Sequence, residues 1–417
     1  MTHKPLNPIL AALNGAVLAL VVCFALAYVG VLTGFANPTS PAGPRESLFA
    51  AFPRAALNVY AMHHVTLSGS GEVSDVLLGN HRVSDTITLP LTVWFVIPAI
   101  AILIGGYAAG ARRRGSGTAG VVLPAMLAGI IYAGVLAGIA GMVHATLHPS
   151  AIPAVGDVSF NPHDIALSPN SLSALLFTGL FGVFYAYLGA MISCRKERAR
   201  GERGVWWGCV KAVTWISAVI QLVMILGFGL WLFRSAPQEQ FQGGQRLQFF
   251  WMAPTVSGIG YTVVHGLTLT GGLSSEPRVG EPLGGKASLY TGTAVAGMPE
   301  QPKPLSDKIR LGAAPALVAI CAFFIGMLAV CWGSRDGAFP AAFRCTLIMA
   351  VLVAATAVLC GFGWMGREPG AVVRFTLRLL PDWPVALAAI GFMVFAFIGA
   401  SFAGLFCEGR RSPVSAP

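Results

Sequence analysis

Apolar positions in this chain fall in long unbroken stretches, with neither the alternation of a half-buried strand nor the single apolar stripe of a soluble helix. A bilayer core about 30 Å thick takes roughly 20 helical residues to cross. Eight stretches reach that length: 8–34, 88–110, 118–142, 172–193, 206–233, 309–332, 341–364 and 384–407. No Asp or Glu lies inside any of them. The pattern predicts an all-α integral membrane fold of eight transmembrane helices with both termini on the same side. The first stretch follows Lys4 as a secretory signal would, but it is longer than the roughly 7–15 residues of such a segment, so it reads as retained.

The segments between spans carry patterns of their own. From Glu46 to His64, residues Leu48, Ala51, Ala55, Val59 and Met62 share one helical face, interrupted by Pro53 and Arg54. This stretch is too short to span, and it predicts a re-entrant or interfacial helix. Val65-Thr66-Leu67-Ser68 and Thr86-Ile87-Thr88-Leu89 then alternate as short β segments, which predicts a small β-lined cap. Residues 274–308, with Pro277, Pro282, Pro299, Pro302 and Pro304, read as a linker.

The cap pattern occurs twice. Phe49, Pro53, Tyr60 and His64 recur as Phe250, Pro254, Tyr261 and His265 at an offset of 201, and Thr66-Leu67-Ser68-Gly69 recurs as Thr268-Leu269-Thr270-Gly271 at 202. Tyr187-Leu188-Gly189-Ala190 matches Phe397-Ile398-Gly399-Ala400 at 210. Self-similarity at fixed spacing marks an internal repeat. It divides the chain into a first four-helix membrane repeat, 1–205, and a second, 206–417. Four spans per half bring both halves in from the same side, so the expected object is a parallel 4+4 tandem repeat about an axis along the membrane normal. Small residues at spacing four, among them Gly182, Ala186 and Ala190, and Ala396, Ala400 and Gly404, are expected at helix contacts.

Composition adds sidedness. Only 11% of the 417 residues are charged, against about 25% in soluble domains. With the N-terminus inside, 14 of the 27 basic residues, including Arg112, Arg113, Arg114, Arg195, Arg198 and Arg200, fall in short inner segments. Basic residues in short loops are retained in the cytoplasm, so the charge predicts a bacterial plasma membrane protein with cytoplasmic termini, with anionic membrane lipid and other membrane proteins as its expected partners. No basic run is interleaved with aromatics, which argues against nucleic acid as a partner. The eight cysteines include no Cys-x-x-Cys, against a zinc ribbon or disulfide framework.

Candidate chemistry is sparse. Seven of eight histidines lie in outer segments. His144 and His148, four apart, are the candidate metal ligands, since two imidazoles on one helical turn can share an ion. Tyr60 and His64, repeated as Tyr261 and His265, read either as a ligand-binding or gating pair over the bundle mouth or as anchors that fix the outer helices at the interface. Asn14 and Gln221 are the notable polar side chains within spans. The absence of span carboxylates disfavours an ordinary proton-coupled carrier. No phosphate-binding loop, nucleophile elbow or dinucleotide fingerprint appears, and no cofactor or catalytic residue is indicated.

The run Ala61-Met62-His63-His64-Val65-Thr66-Leu67, a Gly/Ser stretch, and Leu89-Pro90-Leu91 entering the next span resembles the very hydrophobic polytopic membrane proteins of high-GC bacteria, the streptophobe type among them. The resemblance covers about one loop-plus-span unit in each half, and the second half lacks the Leu-Pro-Leu entry. It implies topology and no catalytic residue. The sequence favours a permease-like or channel-like protein for a neutral or amphiphilic solute, with a non-transporting scaffold or accessory subunit of an envelope complex as the alternative. A membrane enzyme or metal-binding protein using outer histidines is the third.

Overall fold

The computed structural model describes residues 6–33, 48–75, 79–90, 92–113, 117–147, 165–193, 206–235, 252–276, 283–288, 292–295, 305–332, 337–368 and 371–408. In chain order the helices are α1 (Pro8–Leu32), α2 (Leu48–Met62), α3 (Val96–Ala111), α4 (Gly117–Ile139), α5 (Ser171–Ser193), α6 (Trp207–Ser235), α7 (Ala253–Val264), α8 (Leu305–Cys331), α9 (Ala338–Leu359) and α10 (Trp383–Glu408). Six of them, α1, α4, α5, α6, α9 and α10, are long and apolar enough to cross a membrane, and α3 and the part of α8 from Pro315 to Cys331 are shorter apolar helices. The chain is thus built as a multi-pass membrane protein. Helix starts follow local chemistry: Asn7 accepts from the Ile9 amide at 3.0 Å and Pro8 opens α1, where a missing N–H costs nothing.

The expectation of an all-α fold needs correction. Beside the helices stands one nine-stranded antiparallel sheet, made of β1 (Leu67–Asp75), β2 (Gly79–Thr88), β3 (Ala145–Leu147), β4 (Ile165–Pro169), β5 (Leu267–Glu276), β6 (Leu283–Ser288), β7 (Gly292–Val295), β8 (Phe362–Glu368) and β9 (Ala371–Pro381). Its order is β3-β4-β1-β2-β8-β9-β5-β6-β7. The stretch expected to span at 88–110 starts later, because β2 holds the chain extended through Thr88. The stretch at 341–364 ends at Leu359, because Phe362 onward is strand β8. Within the expected linker 274–308 lie the end of β5, strands β6 and β7 and the start of α8. The outer helix expected at 46–64 forms as α2.

The sheet is two-faced because successive side chains alternate. Pairing puts Pro169, Leu67, Ile87, Phe375 and Leu273 in register on one face. On this face Leu67, Leu167, Leu267 and Leu379 are buried, packed in the same clusters as Tyr60 and Tyr132 in one half and Tyr261 and Val353 in the other. The opposite face carries Ser68, Ser84, Thr86, Arg374 and Arg378.

Helix packing falls into two sets. Among the described residues, α1 to α5 pack on one another and α6 to α10 on one another, and the pairing that ties the sets together is β2 with β8. Small residues set the closeness inside each set. A Cβ on Gly106 would overlap the Ala186 backbone, and one on Gly189 the Leu103 carbonyl. In the other half a Cβ on Gly326 would overlap Ala396, and one on Gly399 the Phe323 carbonyl. Lipid supplies no hydrophobic drive between helices, so backbone approach and dispersion hold such contacts. Gly182 belongs to this class through its contact with Gly129, whereas Gly134, Gly138 and Gly404 face open space.

Candidate functional site

The side chains singled out for chemistry cluster where α2 and α7 end beneath the sheet. Tyr60 is fully buried, and its hydroxyl donates to the Leu136 carbonyl of α4 at 2.7 Å. Tyr261, also buried, shares a 2.9 Å hydrogen bond with Ser217 of α6 and lies 2.9 Å from the Met349 sulfur of α9. Both rings therefore pin an outer helix to the bundle below it. Removing one such bond costs about 1 kcal/mol. Tyr60→Phe and Tyr261→Phe should each lower thermal stability in detergent by about that amount, read as a modest loss in melting temperature.

The histidines divide differently from expectation. His265 places Nδ1 2.7 Å from the carbonyl of Tyr261, four residues back. The residue that repeats this bond in the first half is His63, with Nδ1 2.6 Å from the Val59 carbonyl. A carbonyl only accepts, so Nδ1 carries the proton in each case. In neutral His63 this leaves Nε2 to accept from the Tyr132 hydroxyl at 3.1 Å. His63 is fully buried, and burial pushes its imidazole down from 6.5 to about 4, partly opposed by the Val59 bond. Sequence pattern had passed over both His63 and Tyr132. The signal for His63 was present in the spacing, since His63 and His265 are 202 apart, the offset of the Thr66-to-Gly69 match.

His64 instead occupies the left-handed region at φ 61°, where its counterpart at the end of α7 is Gly266 at φ 93°. At Gly266 a Cβ would also lie 2.7 Å from the Pro384 carbonyl carbon, so glycine meets both the backbone and the space requirement. A non-glycine residue tolerates this conformation where its surroundings hold it. His64 is held by a 2.6 Å bond from Nδ1 to the Leu89 carbonyl and by edge-on contact with Phe177 at 4.9 Å. Burial lowers the pKa of both His64 and His265.

The remaining candidates do not join this cluster. Asn14 returns its side-chain amide to the Leu10 carbonyl of its own helix at 2.8 Å, which satisfies it locally. Gln221 accepts from Ser257 at 2.8 Å and so ties α6 to α7. His144 is exposed in the extended link before β3, where the helical spacing needed for a shared ion is absent, and His148 lies outside the described residues. Among the described residues, no group of three or more His, Cys, Asp or Glu side chains is placed to hold a metal. An open groove of about 470 Å³ between α4 and α5 is lined by Met126, Gly179, Leu180, Val183, Phe184 and Tyr187 and contains none of the candidate residues.

At the ends of the helices away from the sheet, cations meet carbonyls and rings. Arg113 donates to the Leu6 carbonyl at 2.8 Å, Lys211 stands 4.3 Å from the Trp332 ring centre and Arg344 stands 5.4 Å from that of Trp206. Comparison of the chain with family models, with curated proteins and with solved structures finds no match.

Proposed function

We propose that this chain is a non-transporting membrane scaffold in which two four-helix units hold a β-sheet platform at the outer face of the bacterial plasma membrane. The observation that carries this reading is the division of helix packing into two sets joined by strand pairing. A pathway between the halves would need helices from both to line it, and the polar side chains that would serve it are engaged within their own half.

In this reading all eight apolar helices cross the bilayer, with 1–205 and 206–417 as a parallel tandem repeat about an axis along the membrane normal. Three correspondences support it. Each half runs helix, helix, strands, helix, helix, two strands, helix. The strand order β3-β4-β1-β2 recurs as β8-β9-β5-β6, with β7 added. The close contacts of Gly106 and Gly189 recur at Gly326 and Gly399. Sidedness follows from the basic residues at the helix ends opposite the sheet.

Two measurements test the reading. A cysteine at Gly115 should react with an impermeant thiol reagent only from the cytoplasm, and one at exposed Ser274 only from outside; the reverse pattern overturns the orientation. Liposomes containing the protein should release small neutral solutes and exchange lipids no faster than protein-free liposomes. Release above that background would return the permease reading to first place.

A further inference from the structure

We propose that the outward face of the sheet is a docking surface for an extended polyol-phosphate polymer of the extracytoplasmic space. Arg367 on β8 and Arg374 and Arg378 on β9 are all exposed, and the register puts them on one face: Arg367 pairs with Val372 and Met365 with Arg374, so residues 372, 374, 376 and 378 share that side. Arg374 and Arg378 stand about 13 Å apart along the strand at roughly 3.3 Å per residue, and Arg367 is a diagonal neighbour of Arg374 at about 7–8 Å. These three exposed arginines put positive charge on one face of β8 and β9.

Between the arginines the floor is rich in hydroxyls. Ser84, Thr86, Thr88, Thr270, Ser274 and Thr376 lie on the same side. Guanidinium forks match phosphate oxygens in paired hydrogen bonds, and serine and threonine hydroxyls suit the polyol units between phosphates. The surface is broad, and its cations are spaced along and across strands rather than converging on one point. That geometry fits repeated charges on a linear chain better than one compact ion. On the opposite face the residues nearest the helices, Leu67, Leu167, Leu267 and Leu379, are buried, whereas Arg367, Arg374 and Arg378 are exposed, so a polymer in the aqueous phase can reach them. The location of this partner rests on the sidedness proposed above.

The test uses the full chain in nanodiscs of zwitterionic lipid with fluorescent poly(glycerol phosphate) as probe and neutral dextran as control. The wild-type protein should bind the polymer and not dextran. Arg367→Gln/Arg374→Gln/Arg378→Gln should weaken binding at least tenfold at low salt and flatten its salt dependence, since a variant that neutralises fewer phosphates releases fewer counterions. Arg112→Gln, at the opposite end of the molecule, should leave this component unchanged. Equal binding by the triple variant, equal binding of dextran, or binding to vesicles of anionic lipid in place of the polymer overturns the proposal while leaving the scaffold reading standing. Arginine-dependent binding in nanodiscs but none on intact spheroplasts overturns the sidedness, and with it the extracytoplasmic partner.

Discussion

Gly106→Val and Gly326→Val should each cost the folded protein at least about 3 kcal/mol, the upper range for forcing bulk into a packed contact, and both should fail to yield a monodisperse species after detergent extraction. The reason is backbone contact. A Cβ at either position would overlap residue 186 or 396 of the facing helix, and a main chain cannot change rotamer to make room. Relief requires α3 to move off α5, or α8 off α10, and that movement also loosens the reciprocal contacts of Gly189 and Gly399. Gly134→Val, on the same kind of apolar helix but facing open space, should leave yield and melting temperature within about 0.5 kcal/mol of wild type. Thermal unfolding in detergent, followed by size-exclusion chromatography, separates these outcomes. Similar losses at 106 and 326 with none at 134 would also support the equivalence of the two halves.

Acidification should destabilise the protein in the window set by His63. In the folded state its pKa is lowered by burial to about 4, against 6.5 for the free side chain. Between these values the unfolded chain takes up a proton that the folded protein refuses, so stability is complete above about pH 6.5 and falls as pH approaches 4. At about 1.36 kcal/mol per pKa unit the loss reaches about 3 kcal/mol for this residue, and His64 and His265 act in the same direction. Protonation also converts Nε2 from acceptor to donor, which breaks the bond it receives from Tyr132. Melting temperature should therefore fall steadily from pH 7 to pH 4.5. His63→Gln should flatten that slope while lowering stability at neutral pH, and an unchanged slope would refute the assignment.

The long apolar helices were legible because a span's composition is local and needs no knowledge of its neighbours. What escaped were features decided by distant partners. Thr86-Ile87-Thr88-Leu89 alternates and reads as a β segment, but Phe362-Gly363-Trp364, uncharged and continuous with a span, is merged with α9 by hydropathy. Their state as strands follows from pairing with each other across opposite halves of the chain. Strands β6 and β7, rich in glycine and flanked by prolines, carry too few large apolar residues to stand out from a linker, and they are fixed by pairing onto β5. The candidate site shows the same limit at smaller scale. Tyr60 and Tyr261 were singled out from their spacing together with His64 and His265, but it is His63, not His64, that bonds to the carbonyl four residues back as His265 does. An alignment of letters favours the nearer match, whereas the hydrogen bond reports the turn.

The ladder between β2 and β8 comprises five residue pairs, from Ser84 with Arg367 to Thr88 with Gly363. Because the principal helix packing among the described residues stays within each set, a pull separating the two sets would load this ladder first. Rupture would begin as shear between two strands, with water competing for the freed amides and carbonyls. Each helix set would stay whole as its neighbour drifted away.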